Sequence, residues 1–272
     1  MAKQRKIFKR VGVLKMCALY NSDAVVIRSR DYRDYDKIIN LFTPYYGRVS
    51  AVVKGVKKPK SKLAGIVQSF TYGNYQLYSG KSLGRLVQGK VLHGFQELRT
   101  DLVLMSAGMC ILELIDKAIP EGEEYPALFG VTLSCFHLLE KSYPPSLVLR
   151  IFEAKLIHNL GVSPELSGCI NHGSITQGNL YFDPETGGLI CETCFEQLTE
   201  NRGPGRAFPV EKGSINIIKR MFEFPVYKLR TLKPTQLQYD TLEKMLTSML
   251  EVHFGIVCKT KPFFKTNLQR NS

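Results

Sequence analysis

The rhythm of hydrophobic and polar positions changes once along the chain, near residue 100. From Ala24 to about Glu97 the apolar residues come in short, β-branched or aromatic runs bounded by turn formers, which predicts strands. Ala24–Ile27 is the first run, and the charged stretch Arg28–Asp36 follows it. Lys37–Thr43 is apolar again and reads as a strand or a short helix. Pro44-Tyr45-Tyr46-Gly47 then turns the chain into Val49–Val53, closing a hairpin. The basic loop Gly55–Lys62 contains Pro59 and cannot be a strand interior. Val67–Tyr78 alternates with aromatic residues, and Ser79-Gly80-Lys81 leads into a last strand, Leu83–Leu92. Five short antiparallel strands predict a small barrel.

After Asp101 the period becomes helical. Leu102–Lys117 starts from Asp101 as its N-cap, and Ala127–Glu140 is the second helix. Pro144-Pro145 breaks the chain before Ser146–Leu160, which stops at Gly161, a C′ glycine. Val210–Phe222 and Thr235–Phe254 are two more helices. In the last, Leu242, Met245, Leu246, Met249, Leu250 and His253 share one stripe, which reads as core. The Gly-rich segment 165–206 interrupts the helical part. The fold class is therefore multidomain α+β, a barrel followed by a helical domain with an insert. The longest apolar stretch, Leu102–Ile115, contains Ser106 and Glu113 and is too short to span a membrane.

Charge sharpens this division. The 272 residues carry 37 Lys+Arg against 24 Asp+Glu, a net charge of +13, with mean hydropathy −0.09 and an ordinary globular composition. Residues 1–100 hold 20 Lys+Arg and 5 Asp+Glu, whereas residues 101–272 hold 17 and 19. All of the excess is N-terminal, which predicts a polyanion-binding module joined to a near-neutral one. Residues 1–20 carry Lys3, Arg5, Lys6, Lys9, Arg10 and Lys15 and no acid. That arm reads as a disordered nucleic-acid-binding tail, an organelle-type presequence or an upstream start, with Met16 as an alternative initiator.

Within the barrel segment, Arg28, Arg30 and Arg33 cluster near the first strand, and Lys54, Lys57, Lys58, Lys60 and Lys62 crowd the central loop. Tyr72, Tyr75 and Tyr78 lie on or near the long strand. Cations for phosphates and rings for stacking are what sequence-tolerant single-strand binding requires. The candidate contacts are Arg28, Arg30, Arg48, Lys54, Lys57, Lys58, Lys60 and Lys62.

Seven cysteines make an odd count, and no apolar leader precedes them, which predicts a reducing, cytoplasmic setting. Cys110 and Cys135 sit in apolar helical patterns and read as core. Cys169-x2-His172 and, 18 residues on, Cys191-x2-Cys194 form two ligand pairs at structural zinc spacing, a Cys₃His set for one Zn²⁺. Leu180–Ile190, with Asp183–Gly188 as its turn, predicts a hairpin between them. Four protein ligands leave no open position for catalysis. No phosphate-binding glycine loop, nucleophile elbow or dinucleotide fingerprint is present, and the most closely spaced carboxylates, Glu121, Glu123 and Glu124, read as a solvated linker. The sequence reads as a non-enzyme.

Arg28–Thr43, Tyr46–Gly55, Lys57–Leu63, Gln68–Phe70 and Leu98–Leu102 together carry a resemblance to the RecO family of bacterial recombination mediators. It continues through Pro120–Glu123, Leu149–Glu153, Gly161–Pro164 and Tyr181–Gly188 ahead of Cys191, covering roughly residues 20–255. It implies an OB-fold over 21–98, a helical domain over 99–164 and 207–272, and a zinc-ribbon-like insert over 165–206. It further implies binding of ssDNA and dsDNA, annealing of complementary strands, and a bacterial, nucleoid-associated location. The partners it implies are RecR, the C-terminal tail of single-stranded-DNA-binding protein and, indirectly, RecA, with no membrane. His172 stands where zinc-bearing members often have a second cysteine. The rival readings are an OB-fold RNA-binding protein with a structural zinc site and a metal-dependent enzyme.

Overall fold

The structure, a computed structural model, describes residues 18–80, 83–173, 178–202 and 206–270. The basic stretch Lys3–Lys15, and Lys81 of the expected turn, lie outside them. The chain divides into two compact units. One runs to Gly94 and takes in Ile119–Glu124; the other holds Phe95–Ala118 and the chain from Tyr125 onward.

The first unit is built on five strands, β1 (Leu19–Tyr32), β2 (Asp36–Thr43), β3 (Gly47–Val53), β4 (Tyr72–Tyr78) and β5 (Gly84–His93). Their order is β1-β2-β3-β5-β4, with β4 pairing back onto β1, so the sheet closes into a ring. Lys37–Thr43 is a strand, in register with β3 from Lys37↔Val53 to Thr43↔Gly47. Its β-branched Ile38 and Ile39 favour the pleat over a helix. β1 runs on through the charged stretch because Arg28, Arg30 and Tyr32 pair with Asn40, Ile38 and Asp36.

Two expectations change. Val67–Tyr78 is not one strand: Gly65–Val67 is a 3-10 turn and Phe70 sits at φ 71°, so β4 starts at Tyr72. Nor is the ring wholly antiparallel, since β3 and β5 meet in a short parallel seam, Ala51↔Gly84 and Val52↔Arg85.

The ring encloses Ala24, Val26, Ile39, Leu41, Ala51, Val53, Tyr75, Leu77 and Leu86. Burying each large apolar side chain contributes about 1.5–3 kcal/mol. Tyr75 is fully buried and donates its hydroxyl to the Ile66 carbonyl at 2.9 Å. Two glycines make room for its ring. A Cβ on Gly73 would lie 3.2 Å from the Tyr75 ring, and one on Gly89, the cross-strand partner, 3.1 Å from it. The loop after β3 packs on the same core through Val56, Ile66 and Val67. Ile119–Glu124 lies along the β2–β3 turn, with Arg48 N–H donating to Pro120 O and Gly122 N–H to Tyr46 O. A Cβ on Gly47 would come within 2.3 Å of Pro120 O, so the close approach requires glycine there.

The second unit comprises α1 (Glu97–Thr100), α2 (Leu102–Ala118), α3 (Pro126–Glu140), α4 (Pro145–Asn159), α5 (Glu192–Arg202), α6 (Lys212–Glu223), α7 (Val226–Leu229), α8 (Gln236–Phe254) and α9 (Lys261–Arg270). Asp101 caps α2 as expected, accepting the Leu104 N–H at 2.8 Å. After α4, Gly161 takes φ +83°, its N–H donates to His158 O, and Val162 N–H reaches Ile157 O. These two bonds are the Schellman stop. Cys110 and Cys135 are fully buried. α4 is buried on every side from Leu147 to Ile157, Arg150, Glu153 and Lys155 included. Glu153 is met by Arg150 at 3.1 Å and by Lys261 of α9 at 2.8 Å, so the buried carboxylate is paired with cations.

Within this unit a four-stranded sheet has the order β6-β8-β7-β9, from β6 (Glu165–Cys169), β7 (Leu180–Asp183), β8 (Gly188–Cys191) and β9 (Phe208–Val210). The expected hairpin is β7–β8, in register from Leu180↔Cys191 to Asp183↔Gly188. β9 extends the sheet beyond residue 206 by pairing with β7. Among the described residues, no helix is long and apolar enough to cross a membrane.

Candidate nucleic-acid interface and metal-ligand cluster

The candidate cations lie on β1, β3 and the loop that follows β3. Arg28 and Arg30 are exposed on β1, two residues apart and so on one face of the strand. Arg48 is half-buried in β3, close to the Ile119–Glu124 segment. Lys54, Lys57, Lys58, Lys60 and Lys62 are all exposed on a loop that is pinned at several points. Gly55 N–H donates to Asp36 Oδ1 at 2.8 Å, Lys57 N–H to Tyr35 O, and Ser61 N–H to Lys58 O. With Val56 in the core, the lysines are displayed from an ordered base, which limits the entropy lost when they meet a partner.

The lysines differ in electrostatic setting. Asp31 receives Lys37 at 2.9 Å and Lys57 at 3.0 Å, and their hydrogen bonds hold its carboxyl below the usual range. Lys57 therefore spends part of its charge inside the protein. Lys58 lies 5.8 Å over the Tyr35 ring, a cation next to an exposed aromatic.

Around the β3–β5 seam the ring has a hollow of about 270 Å³. Three cations line it, Arg33, Lys54 and Arg85, together with Tyr32 and Asp36. Arg33 stands at the β1–β2 turn with φ 54° and sits 5.1 Å from the Tyr32 ring centre. Arg33 belongs to the arginine cluster of the sequence but not to the candidate contacts, and no motif marks Arg85. Arg85 is isolated in sequence. The one local signal was its outward position beside the inward Leu86, and only the parallel seam brings it to the others. Tyr75, one of the three strand tyrosines, is a core residue and is unavailable to a ligand. Tyr72 is half-buried beside Asp23, and Tyr78 is exposed.

In the second unit the two ligand pairs converge because β6 and β8 run parallel and end side by side. Cys169 closes β6 opposite Leu189, and Ile170 N–H donates to Leu189 O. Cys191 closes β8, and Cys194 lies in the first turn of α5. His172 follows in the turn that Gly173 completes at φ +76°, its N–H bonded to Cys169 O. The four donor atoms all lie within 4.8 Å of one another, so the cluster could hold a metal ion. Cys169 and Cys194 Sγ are 3.8 Å apart, and His172 Nδ1 is 4.0, 3.3 and 3.6 Å from the sulfurs of Cys169, Cys191 and Cys194. Burial works against a Cys169 thiolate, but backbone N–H groups of Cys191, His172 and Asn171 turned toward the sulfur bring its pKa below the usual thiol range. Asn171 Nδ2 donates to Cys194 Sγ at 3.2 Å. The cluster has a small core of its own, in which Tyr181 and Phe195 stack at 3.9 Å between ring centres.

The model for the recombination protein O N-terminal domain matches residues 16–95, and that for the C-terminal domain matches residues 99–262. A protein of Desulfitobacterium hafniense named DNA repair protein RecO is 37% identical over 219 residues, 80% of this chain and 79% of its own length. One from Symbiobacterium thermophilum with the same name is 32% identical over 253 residues, 92% and 98% of the two chains. One from Listeria welshimeri is 28% identical over 243 residues, 89% and 92%. The chain belongs to the RecO family.

Proposed function

We propose that this protein is a non-enzymatic DNA-repair mediator that binds ssDNA and dsDNA on its N-terminal ring and anneals complementary strands. The observation that carries the reading is the meeting of Arg33, Lys54 and Arg85 around one hollow of the ring, beside the pinned lysine loop. In this reading the ring is an OB-fold barrel and its cations neutralise phosphates on both strands, lowering the repulsion that opposes pairing. Arg28, Arg30, Arg48, Lys54, Lys57, Lys58, Lys60 and Lys62 act with Arg33 and Arg85. The domain plan is an OB-fold over 21–98, a helical domain over 99–164 and 207–272, and an insert over 165–206 that includes the metal-ligand cluster. The family relationship supports RecR, the tail of single-stranded-DNA-binding protein and, indirectly, RecA as partners, in a cytoplasmic, nucleoid-associated setting. An RNA-binding role would use the same cations, and competition between ssDNA and RNA of equal length separates the two.

The cluster fits one structural Zn²⁺. Zinc held at about 2.3 Å from sulfur and about 2.0 Å from nitrogen in a tetrahedron sets S···S edges of about 3.8 Å and S···N edges of about 3.5 Å. The 3.8 Å sulfur pair and the 3.3–4.0 Å sulfur–nitrogen distances lie around those values. Cys169, His172, Cys191 and Cys194 would hold the ion. When bound, it ties β6, β8 and α5 together, a covalent-like crosslink for a segment with little core of its own.

The binding reading is tested by titrating labelled single strands at two salt concentrations. The account expects binding that weakens steeply with salt and that Lys54→Glu with Arg85→Glu weakens further at moderate salt. Unchanged affinity in that variant would remove the ring from the interface.

A further inference from the structure

The second unit is close to charge balance, with 17 Lys+Arg and 19 Asp+Glu in residues 101–272, but its cations are unevenly placed. Lys219, Arg220, Lys228, Arg230 and Lys233 fall in a stretch whose one acid is Glu223. The same stretch displays two aromatic rings. Phe224 is 37% exposed and Tyr227 is 64% exposed. It is the connection from α6 through α7 to α8, and it is well anchored. Val226, Leu229 and Leu232 are buried at every third position, so the residues between them are fixed outward. Tyr227, Lys228, Arg230 and Thr231 between them, and Lys233 just beyond, are exposed. Lys228 Nζ sits 5.6 Å from the Phe224 ring centre, which places a cation next to an aromatic face.

Single exposed apolar residues are ordinary. Two rings beside three cations on an anchored connection are a different feature, because they combine flat apolar faces with phosphate-seeking charge. A ring as exposed as Tyr227 projects from the surface and offers a face for stacking, whereas an anchoring peptide side chain needs a pocket to fill. Nothing in the ring unit's account uses this surface.

We propose that the α6–α8 connection is a second nucleic-acid contact, which takes a single strand with bases stacked on Tyr227 and Phe224 and phosphates held by Lys228, Arg230 and Lys233. The chain then carries a strand contact on each of its two units, and the two stand or fall separately. Stacking contributes about 1–3 kcal/mol per base, so loss of one stacked base weakens binding at this surface about fivefold or more.

The chain has no tryptophan, so Tyr227→Trp in the full-length protein creates a single reporter at the proposed contact. The position is exposed, and an unchanged thermal midpoint confirms that the variant folds. Oligothymidylate is expected to quench the reporter saturably, and an abasic oligonucleotide of equal length to bind without quenching it. Adding Lys228→Glu, Arg230→Glu and Lys233→Glu is expected to raise the half-saturating concentration at least about fivefold. Adding instead Lys54→Glu and Arg85→Glu in the ring is expected to leave the quenching amplitude intact. Binding without quenching would overturn the proposal, as would equal quenching by the abasic strand. So would a response to polyglutamate and none to oligothymidylate, which would make this surface a site for acidic peptides.

Discussion

The carboxylate of Glu113, on α2, accepts the backbone N–H groups of Lys259 and Thr260 at 2.8 Å each, immediately before α9 begins. It also receives Lys117 at 2.6 Å. One side chain thus fixes the entry to the last helix, and its negative charge lies near that helix's positive end. Burial opposes ionisation of Glu113, but the hydrogen bonds from Lys117, Thr260 and Lys259 outweigh it and hold the pKa at about 2, against an ordinary 4.5. A depressed carboxyl contributes stability that is complete above its unfolded value and fades as the folded form titrates. Thermal stability should therefore fall as pH drops from about 4.5 toward 2. Glu113→Ala should remove roughly 1–3 kcal/mol at neutral pH and flatten that acid limb. A variant with an unchanged midpoint and acid limb would show that α9 is held by other contacts alone.

Asp31 restrains the lysine loop by engaging Lys37 and Lys57. Asp31→Asn should tighten DNA binding by up to about fivefold, the effect of removing one charge at close range in water. Lys57→Ala should weaken it less than Lys54→Ala, because Lys57 is already partly neutralised. On single strands, each cation that leaves a phosphate should reduce the slope of log affinity against log salt by about 0.7. Anisotropy titrations across salt concentrations measure both quantities.

The three sulfurs of Cys169, Cys191 and Cys194 should be protected from a thiol reagent in the purified protein and become reactive after chelation. Metal analysis should give about one zinc per chain. Chelation, or Cys191→Ser, should destabilise the β6–β9 sheet on the order of 4 kcal/mol or more, the size expected for loss of a structural metal. His172→Cys should keep the metal. Protein prepared without chelators and lacking zinc would contradict the assignment.

Tyr75→Phe should cost about 1–2 kcal/mol, because the buried Ile66 carbonyl loses the hydroxyl that it accepts at 2.9 Å. DNA affinity per folded molecule should be unchanged, since the ring of Tyr75 is inside the core. Denaturant unfolding and binding titrations on the same variant separate these effects.

What the chain discloses follows the range of the interactions involved. The two ligand pairs were legible because each is a local spacing, and the β7–β8 hairpin between them follows from its turn residues. The strand alternation located β2 through β5, but Tyr75 could not be told from Tyr78. Its burial depends on Gly73 beside it and on Gly89 across the sheet, a pairing that no short window contains. Arg85 was invisible for the same reason, as the β3–β5 seam joins residues more than thirty positions apart. α9 was missed because its few apolar positions give a weak stripe. It is held by Glu113 and by the Lys261–Glu153 pair, both contacts with distant helices.

The central claim is that the ring's cations let this protein anneal strands that a single-stranded-DNA-binding protein has coated. Its most direct test is the rate of duplex formation from complementary oligonucleotides pre-coated with the cognate binding protein, followed by fluorescence at two salt concentrations. The account predicts acceleration by the wild-type chain, greater at low salt, and near-background rates with Lys54→Glu and Arg85→Glu. Tight binding to bare strands with no acceleration on coated ones would contradict it.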